Sequence, residues 1–174
     1  MAPQESVDVL QCLKDSRAEF LAAAEGLSEE QANTSPAPGR WSVVECVEHV
    51  IAVESLFLRS VRKPAEETAP PMNKEREAMI LSRVAGRATA IQAPEPVRPS
   101  GRFTTLSDAL AKFEAVRAKS IRFVETEGAG LYSLAAKHPF LGMCNGAEAM
   151  VLLAAHSRRH AAQIREVGAV LRSR

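Results

Sequence analysis

The sequence predicts an all-α protein, a four-helix bundle with long crossover connections and one short extra helix. Three observations carry that expectation. Apolar residues recur at helical spacing through four long segments, and no stretch reads convincingly as a strand. Capping signatures stand at the starts of several of these segments. Proline-rich stretches separate the middle ones, and connections of that length fit a crossover or a lid better than a tight turn. Amphipathic helices so connected pack as bundles, whose cofactor sites are built from side chains on facing helices.

The elements follow in order. A first helix is expected from about Glu5 to Glu25, with Val9, Leu10, Leu13, Phe20, Leu21 and Ala24 as its apolar face and Gly26 as its stop. Ser28-Glu29-Glu30-Gln31 has the form of a capping box and predicts a short turn of helix. Asn33 to Arg40 is a loop broken by Pro36, Pro38 and Gly39. A second long helix starts at Ser42, with Glu45 completing a capping box, and runs through Val61. It is apolar over more than half its circumference, and Glu45, Glu48, Ser55, Arg59 and Arg62 mark its wet side. Pro64, Pro70 and Pro71 end it, and a shorter helix covers about Asn73 to Val84. Gly86 to Arg102 is expected to be irregular, given Pro94, Pro96 and Pro99. Leu106 to Glu125 forms the next helix, with Leu106, Leu110, Phe113, Val116, Ile121 and Val124 inward. Gly128 and Gly130 follow, and Leu131 to Cys144 reads as a loop. The last helix begins at Asn145, an N-cap, with Glu148 placed to complete a further capping box.

Bulk properties narrow the function. The 174 residues suit one domain, read here as 1–174. A composition 46% apolar and 25% charged is that of an ordinary soluble protein. With 22 basic and 21 acidic residues there is no electrostatic case for nucleic acid or an anionic membrane as partner. The start, Met1 to Ser6, lacks a signal peptide's apolar stretch, and no apolar run reaches the roughly 18 residues of a membrane span. Cys12, Cys46 and Cys144 are an odd number without a CxxC, which favours a reduced, cytoplasmic compartment over a disulfide framework.

The chemistry concentrates on His156 and His160. Residues four apart share a helical face, so both rings project together. At roughly 100° per residue, Ala149, Leu152, Leu153, Ile164, Val167 and Leu171 form one stripe with both histidines in its middle. Arg158, Arg165 and Arg172 fall opposite. Two imidazoles aimed into a core need a partner, and a divalent metal is the natural one. His49 flanks the apolar face of the second long helix. A histidine there plus the His-x-x-x-His pair would make a three-nitrogen facial site with a position open for water or substrate. The spacing alone fits better two histidines hydrogen-bonded in a core, and it is their place on the apolar stripe that favours a metal. A zincin is argued against, because Ser157 stands where its general-base glutamate would be. No Gly-rich phosphate loop and no GxSxG is present.

Two segments resemble a known family. Trp41-Ser-Val-Val-Glu-Cys-Val-Glu-His49-Val-Ile-Ala-Val-Glu54 is similar to the WS…H…E element of the DinB-like superfamily. His138-Pro-Phe-Leu-Gly142 followed by His156-Ser-Arg-Arg-His160-Ala-Ala-Gln163-Ile resembles its second element, and the likeness covers nearly the whole chain in order and spacing. The resemblance implies a four-helix bundle with a divalent metal held by three histidines, which map onto His49, His156 and His160. It also implies a metal-dependent hydrolase, or an S-transferase or isomerase using a low-molecular-weight thiol, and suggests a homodimer.

The remaining candidates have competing readings. Glu54 lies in an apolar arc, where a carboxylate is costly unless paired. It is the candidate catalytic residue, as general base or as partner of a ligand histidine; the alternative is an ion pair with an arginine such as Arg117. Glu45 is read as a cap, Trp41 as a plug at the bundle end, and His138 as a rim residue. Gln163 either positions a ligand or sits at the stripe's edge. Cys46 is read as a small buried hydrophobe, and Cys144, at a helix N-terminus, is not taken as a nucleophile. The leading expectation is a metal-dependent enzyme acting on a small molecule. Its metal would lower the pKa of a thiol or a water, giving S-transfer or hydrolysis. Zinc or nickel suits an all-imidazole site, with iron or manganese also open. The alternatives are a non-catalytic metal-binding or stress-response module, and a structural dimerisation domain without metal.

Overall fold

The computed structural model describes residues 7–87 and 92–173. Its elements are α1 (Val9–Ala24), α2 (Glu29–Asn33), α3 (Val43–Arg62), α4 (Lys74–Ala85), α5 (Leu106–Glu127), β1 (Ala135–His138), β2 (Gly142–Asn145) and α6 (Gly146–Arg172). The expected start of the first helix at Glu5, the opening Met1–Ser6 stretch and the terminal Arg174 lie outside the described residues, as does part of the 86–102 connection. Among the described residues no helix is long and apolar enough to cross a membrane.

Helix starts are set by side chains that satisfy the first N–H groups. Capping boxes form at Ser28/Gln31, Ser42/Glu45 and Asn145/Glu148. Asp8, Asn73 and Thr105 cap α1, α4 and α5. The four long helices α1, α3, α5 and α6 form the bundle, with α6 against α1 and α3, and α5 against α1 and α3. α4 packs outside, along α6. This is the all-α four-helix bundle expected, with the short extra helices attached.

One expectation is corrected. The 131–144 stretch is not an irregular loop. It holds a 3-10 turn, Gly128–Ser133, and an antiparallel hairpin pairing Ala135 with Asn145 and His138 with Gly142. Each strand has only four residues, too few for an alternation to be read. Gly142 takes φ +71°, a conformation that favours glycine. The hairpin delivers the chain to Gly146, where an added Cβ would lie 2.6 Å from the Leu131 carbonyl oxygen. Only glycine allows α6 to start this close to the preceding turn.

The core is divided along the bundle. Phe20, Val43, Val47, Val50, Phe113, Ala161 and Ile164 fill one half. Leu13, Val53, Val61, Ile80, Val124, Met150 and Leu153 fill the other. Where one passes into the other, every long helix contributes a buried polar side chain: Ser16, Glu54, Arg117 with Ser120, and Ser157.

Candidate metal centre

The site arises where α3 crosses α6. The Ser42 capping box fixes the start of α3, and His49 follows two turns on, buried. His156 and His160 project from α6 toward it. The Nε2 atom of His156 lies 3.2 Å from that of His49 and 3.2 Å from that of His160. The three rings thus present one nitrogen each to a common point, all within 4.8 Å of one another.

Their protonation follows from the neighbours. His49 Nδ1 lies 2.7 Å from the Val97 carbonyl oxygen, which can only accept, so that nitrogen carries the proton. His160 Nδ1 likewise donates to Gln163 Oε1 at 2.8 Å. Both rings therefore turn an unprotonated Nε2 inward. Burial lowers the His49 pKa, opposed by the Val97 hydrogen bond. Burial, and then the charges of His160 and His49, hold His156 well below the usual range. Burial and His49 bring His160 down to about 3, against the Gln163 hydrogen bond. Neutral imidazoles are the form that binds metals.

The donor set fits a metal ion. Lone pairs from several rings converging at 3.2 Å repel unless a cation or proton lies between them. One proton on His156 could serve only one neighbour. Metal–nitrogen bonds of about 2.0–2.1 Å at tetrahedral angles would set such nitrogens about 3.3–3.4 Å apart, close to the two separations from His156, with the third pair within 4.8 Å. Outer partners of this kind, a backbone carbonyl and a side-chain amide, orient metal-binding histidines.

The crossover connection is part of the site. A 3-10 turn, Glu95–Val97, carries the carbonyl that holds His49. Glu48 pins the residues just beyond it. Its carboxylate accepts from the backbone N–H of Ser100, Gly101 and Arg102 and from the Ser100 hydroxyl, at 2.8–3.2 Å. The expectation that Glu48 marks the wet side of α3 is therefore corrected: it is 3% exposed. Four donors from a neighbouring loop offset its desolvation, and nothing in α3 announces that loop. Sequence reasoning missed Val97 for a similar reason, since a backbone carbonyl leaves no residue-type signature.

Glu54 forms the ion pair with Arg117 that stood as the alternative to its catalytic reading. Oε1 accepts from Arg117 Nε at 2.8 Å and Ser120 Oγ at 2.7 Å, and Oε2 from Arg117 Nη2 at 2.9 Å. Both oxygens are thus committed to the ion pair that stood as the alternative, and the ring Nδ1 atoms of His49 and His160 have other partners. Arg117 also donates to Leu13 O, Ser16 Oγ and Ser157 Oγ.

Other candidates resolve individually. Gln163 positions His160. Trp41 lies against the site, its ring 4.9 Å from His49 and stacked 6.4 Å from His160. Glu45 caps α3. His138 lies in the hairpin, its Nδ1 accepting from the Phe140 and Leu141 N–H groups and its ring between Phe57 and Phe140. Cys46 is buried, which pushes its thiol up to about 12. Burial also raises Cys144, and the three cysteines are free thiols.

The class the fold and site define is a helical bundle whose facing helices bring three histidines, able to hold a metal ion, to one point. The family comparison agrees: the DinB superfamily model matches residues 13–164, and the chain belongs to that superfamily. Among solved structures, YfiT from Bacillus subtilis is similar, with a TM-score of 0.57 and 19% identity over 96% of this chain and 91% of that one. It is described as a probable metal-dependent hydrolase with an unusual four-helix bundle topology. At that identity the likeness speaks for the fold. The search of curated proteins found no match.

Proposed function

We propose that this chain is a divalent-metal-dependent enzyme acting on a small molecule, by hydrolysis or by transfer to a low-molecular-weight thiol. The observation that carries the reading is the convergence of three Nε2 atoms, two of them locked inward by Nδ1–H bonds. The metal, when bound, would lower the pKa of a water or thiol so that it is nucleophilic near neutral pH. His49, His156 and His160 would hold it, and three protein ligands are the number that catalytic zinc sites use while keeping a position open. Val97 and Gln163 would keep the rings oriented, and Trp41 would screen the face of His49 from solvent. Zinc and nickel are the metals an all-imidazole set favours, with iron or manganese also open.

The YfiT description favours hydrolysis; the thiol reading rests on the resemblance set out from the motifs. Elemental analysis of purified protein should find one divalent ion per chain, lost in His156→Ala. Ester and amide hydrolysis, and conjugation of thiols to a panel of electrophiles, are then assayed with and without chelator. Turnover that survives complete metal removal would overturn the reading. Bound metal with no turnover in either panel would leave the non-catalytic module.

A further inference from the structure

We propose that residues 93–102 of the crossover connection act as a latch on the three-histidine site. Seated on α3, they hold His49 in its ligating orientation; coming away, they release the ion. The proposal concerns the regulation of the metal site and rests on the metal reading above. Two neighbouring residues of α3 grip the segment. His49 Nδ1–H donates to the Val97 carbonyl at 2.7 Å. The Glu48 carboxylate accepts from the N–H groups of Ser100 at 2.8 Å, Gly101 at 3.2 Å and Arg102 at 3.1 Å. The 3-10 turn ahead of them closes on itself. Val97 and Arg98 N–H donate to the Pro94 and Glu95 carbonyls, and Arg98 Nε donates to the Ala93 carbonyl. Val97 is the one buried residue between 92 and 102.

A mostly exposed segment held by one buried side chain and a few hydrogen bonds opens locally, without unfolding its neighbours. When it leaves, α3 keeps its Ser42 cap and its own helical bonds. His49 does not keep its orientation. Nδ1 loses its acceptor, so nothing fixes the ring or holds the proton on Nδ1, and a proton on Nε2 blocks that nitrogen as a ligand. The converse also holds. Once Nε2 is ligated, Nδ1–H becomes a stronger donor to Val97, and the segment seats more firmly. Such coupling is reciprocal: whatever factor the ion adds to closure, closure adds to the ion's affinity. His160 has no comparable release. Its Nδ1 partner, Gln163, stands three residues along the same helix and cannot come away with a loop. The site therefore has one ligand whose outer partner is detachable and one whose partner is built in.

Hydrogen exchange of the full-length chain, metal-free and loaded with zinc, tests this. The amides of Val97, Arg98, Ser100, Gly101 and Arg102 all have acceptors when the latch is seated and are its reporters. Zinc should slow their exchange about fivefold or more, and should slow the hairpin amides of 135–145 much less. In His156→Ala, added zinc should leave the reporters at the metal-free rate. Glu48→Ala removes the second grip, so zinc should pass to a chromogenic chelator about fivefold faster or more. Gln163→Ala should also lose zinc faster, yet keep the zinc-dependent slowing of the reporters. Bound zinc with unchanged reporter exchange overturns the latch, as does equal slowing of the hairpin, which would mean global stabilisation. Unchanged zinc release in Glu48→Ala with native circular dichroism also overturns it. The wild-type comparison needs no variant to fold. Failure to bind zinc at all would show in elemental analysis and would overturn the metal reading itself, so the two failures are distinguishable.

Discussion

Two buried polar clusters lie at the middle of this bundle, and they are built on opposite principles. In the Glu54–Arg117 layer every hydrogen bond runs from a donor to an acceptor, and Arg117 alone engages Glu54, Leu13, Ser16 and Ser157. In the three-histidine cluster the outer nitrogens of His49 and His160 are satisfied, while both turn an unprotonated Nε2 toward His156, which can donate to only one of them. A closed network needs nothing further and serves the fold. A cluster held open by its own outer partners has the donor set to take up an added ion. The contrast separates a structural charge from a functional one more sharply than burial does, since Glu54 and His49 are both buried.

The largest effect on stability should come from opening the closed cluster. Arg117 and Glu54 are 0% and 1% exposed, so Arg117→Met alone leaves an uncompensated buried carboxylate. Removing one partner of such a pair costs about 3–5 kcal/mol, which urea denaturation would show as a lowered midpoint. Glu54→Leu with Arg117→Met should recover much of the loss, because apolar side chains of similar volume tolerate the site. If Glu54→Gln instead abolished turnover while keeping stability, the comparison would break and Glu54 would regain a catalytic role.

Removing a ligand should do the reverse. His156→Ala is expected to lose the metal but to change the stability of the metal-free protein by no more than about 1 kcal/mol, because no closed network is broken. The wild type should gain about 2.7 kcal/mol at a free metal concentration a hundred times the Kd, and the variant nothing. Thermal melts with and without added zinc check both halves. A large loss in metal-free His156→Ala would mean that the histidines hydrogen-bond as a structural group.

Glu48 tests whether the crossover connection belongs to the site. Glu48→Gln keeps the shape but weakens charge-assisted bonds to the 100–102 backbone, at a cost of about 1–3 kcal/mol. By loosening the segment that carries Val97, it should also reduce metal affinity by about tenfold. Competition with a chromogenic chelator measures this, and unchanged affinity would reduce Glu48 to a loop anchor.

What could be read beforehand divides along the same line. The helices were legible because caps and apolar stripes are local: Ser42/Glu45 and Asn145/Glu148 formed the boxes their spacing predicts. The His156/His160 pair was visible from its place on the stripe of α6, and the meeting with His49 confirms that α3 faces α6. What stayed hidden depended on chain segments far apart. Glu48 looked solvated because its four donors lie some fifty residues away. Val97 acts through its backbone. The hairpin strands are too short to show a period. Glu54 was recognisable as a buried carboxylate, but only the fold brings Arg117 to both of its oxygens.

The smallest expected effect concerns Cys46, one turn before His49 on α3 and fully buried. A thiolate there would compete with the imidazoles as a soft ligand and as a nucleophile. Burial and the neighbouring Glu45 carboxylate disfavour it, and with its pKa at about 12 the sulfur stays protonated at pH 8. Attack on a disulfide reagent requires the thiolate. In the folded protein at pH 8, Cys46 should therefore react only at the rate of opening, after the half-buried Cys12. Mass spectrometry of timed labelling reads the order. Cys46→Ala should leave metal content and turnover unchanged, with a small loss of stability from the lost sulfur's packing. Rapid labelling of Cys46, or metal loss in the alanine variant, would place the thiol inside the open cluster and add a sulfur to the three nitrogens.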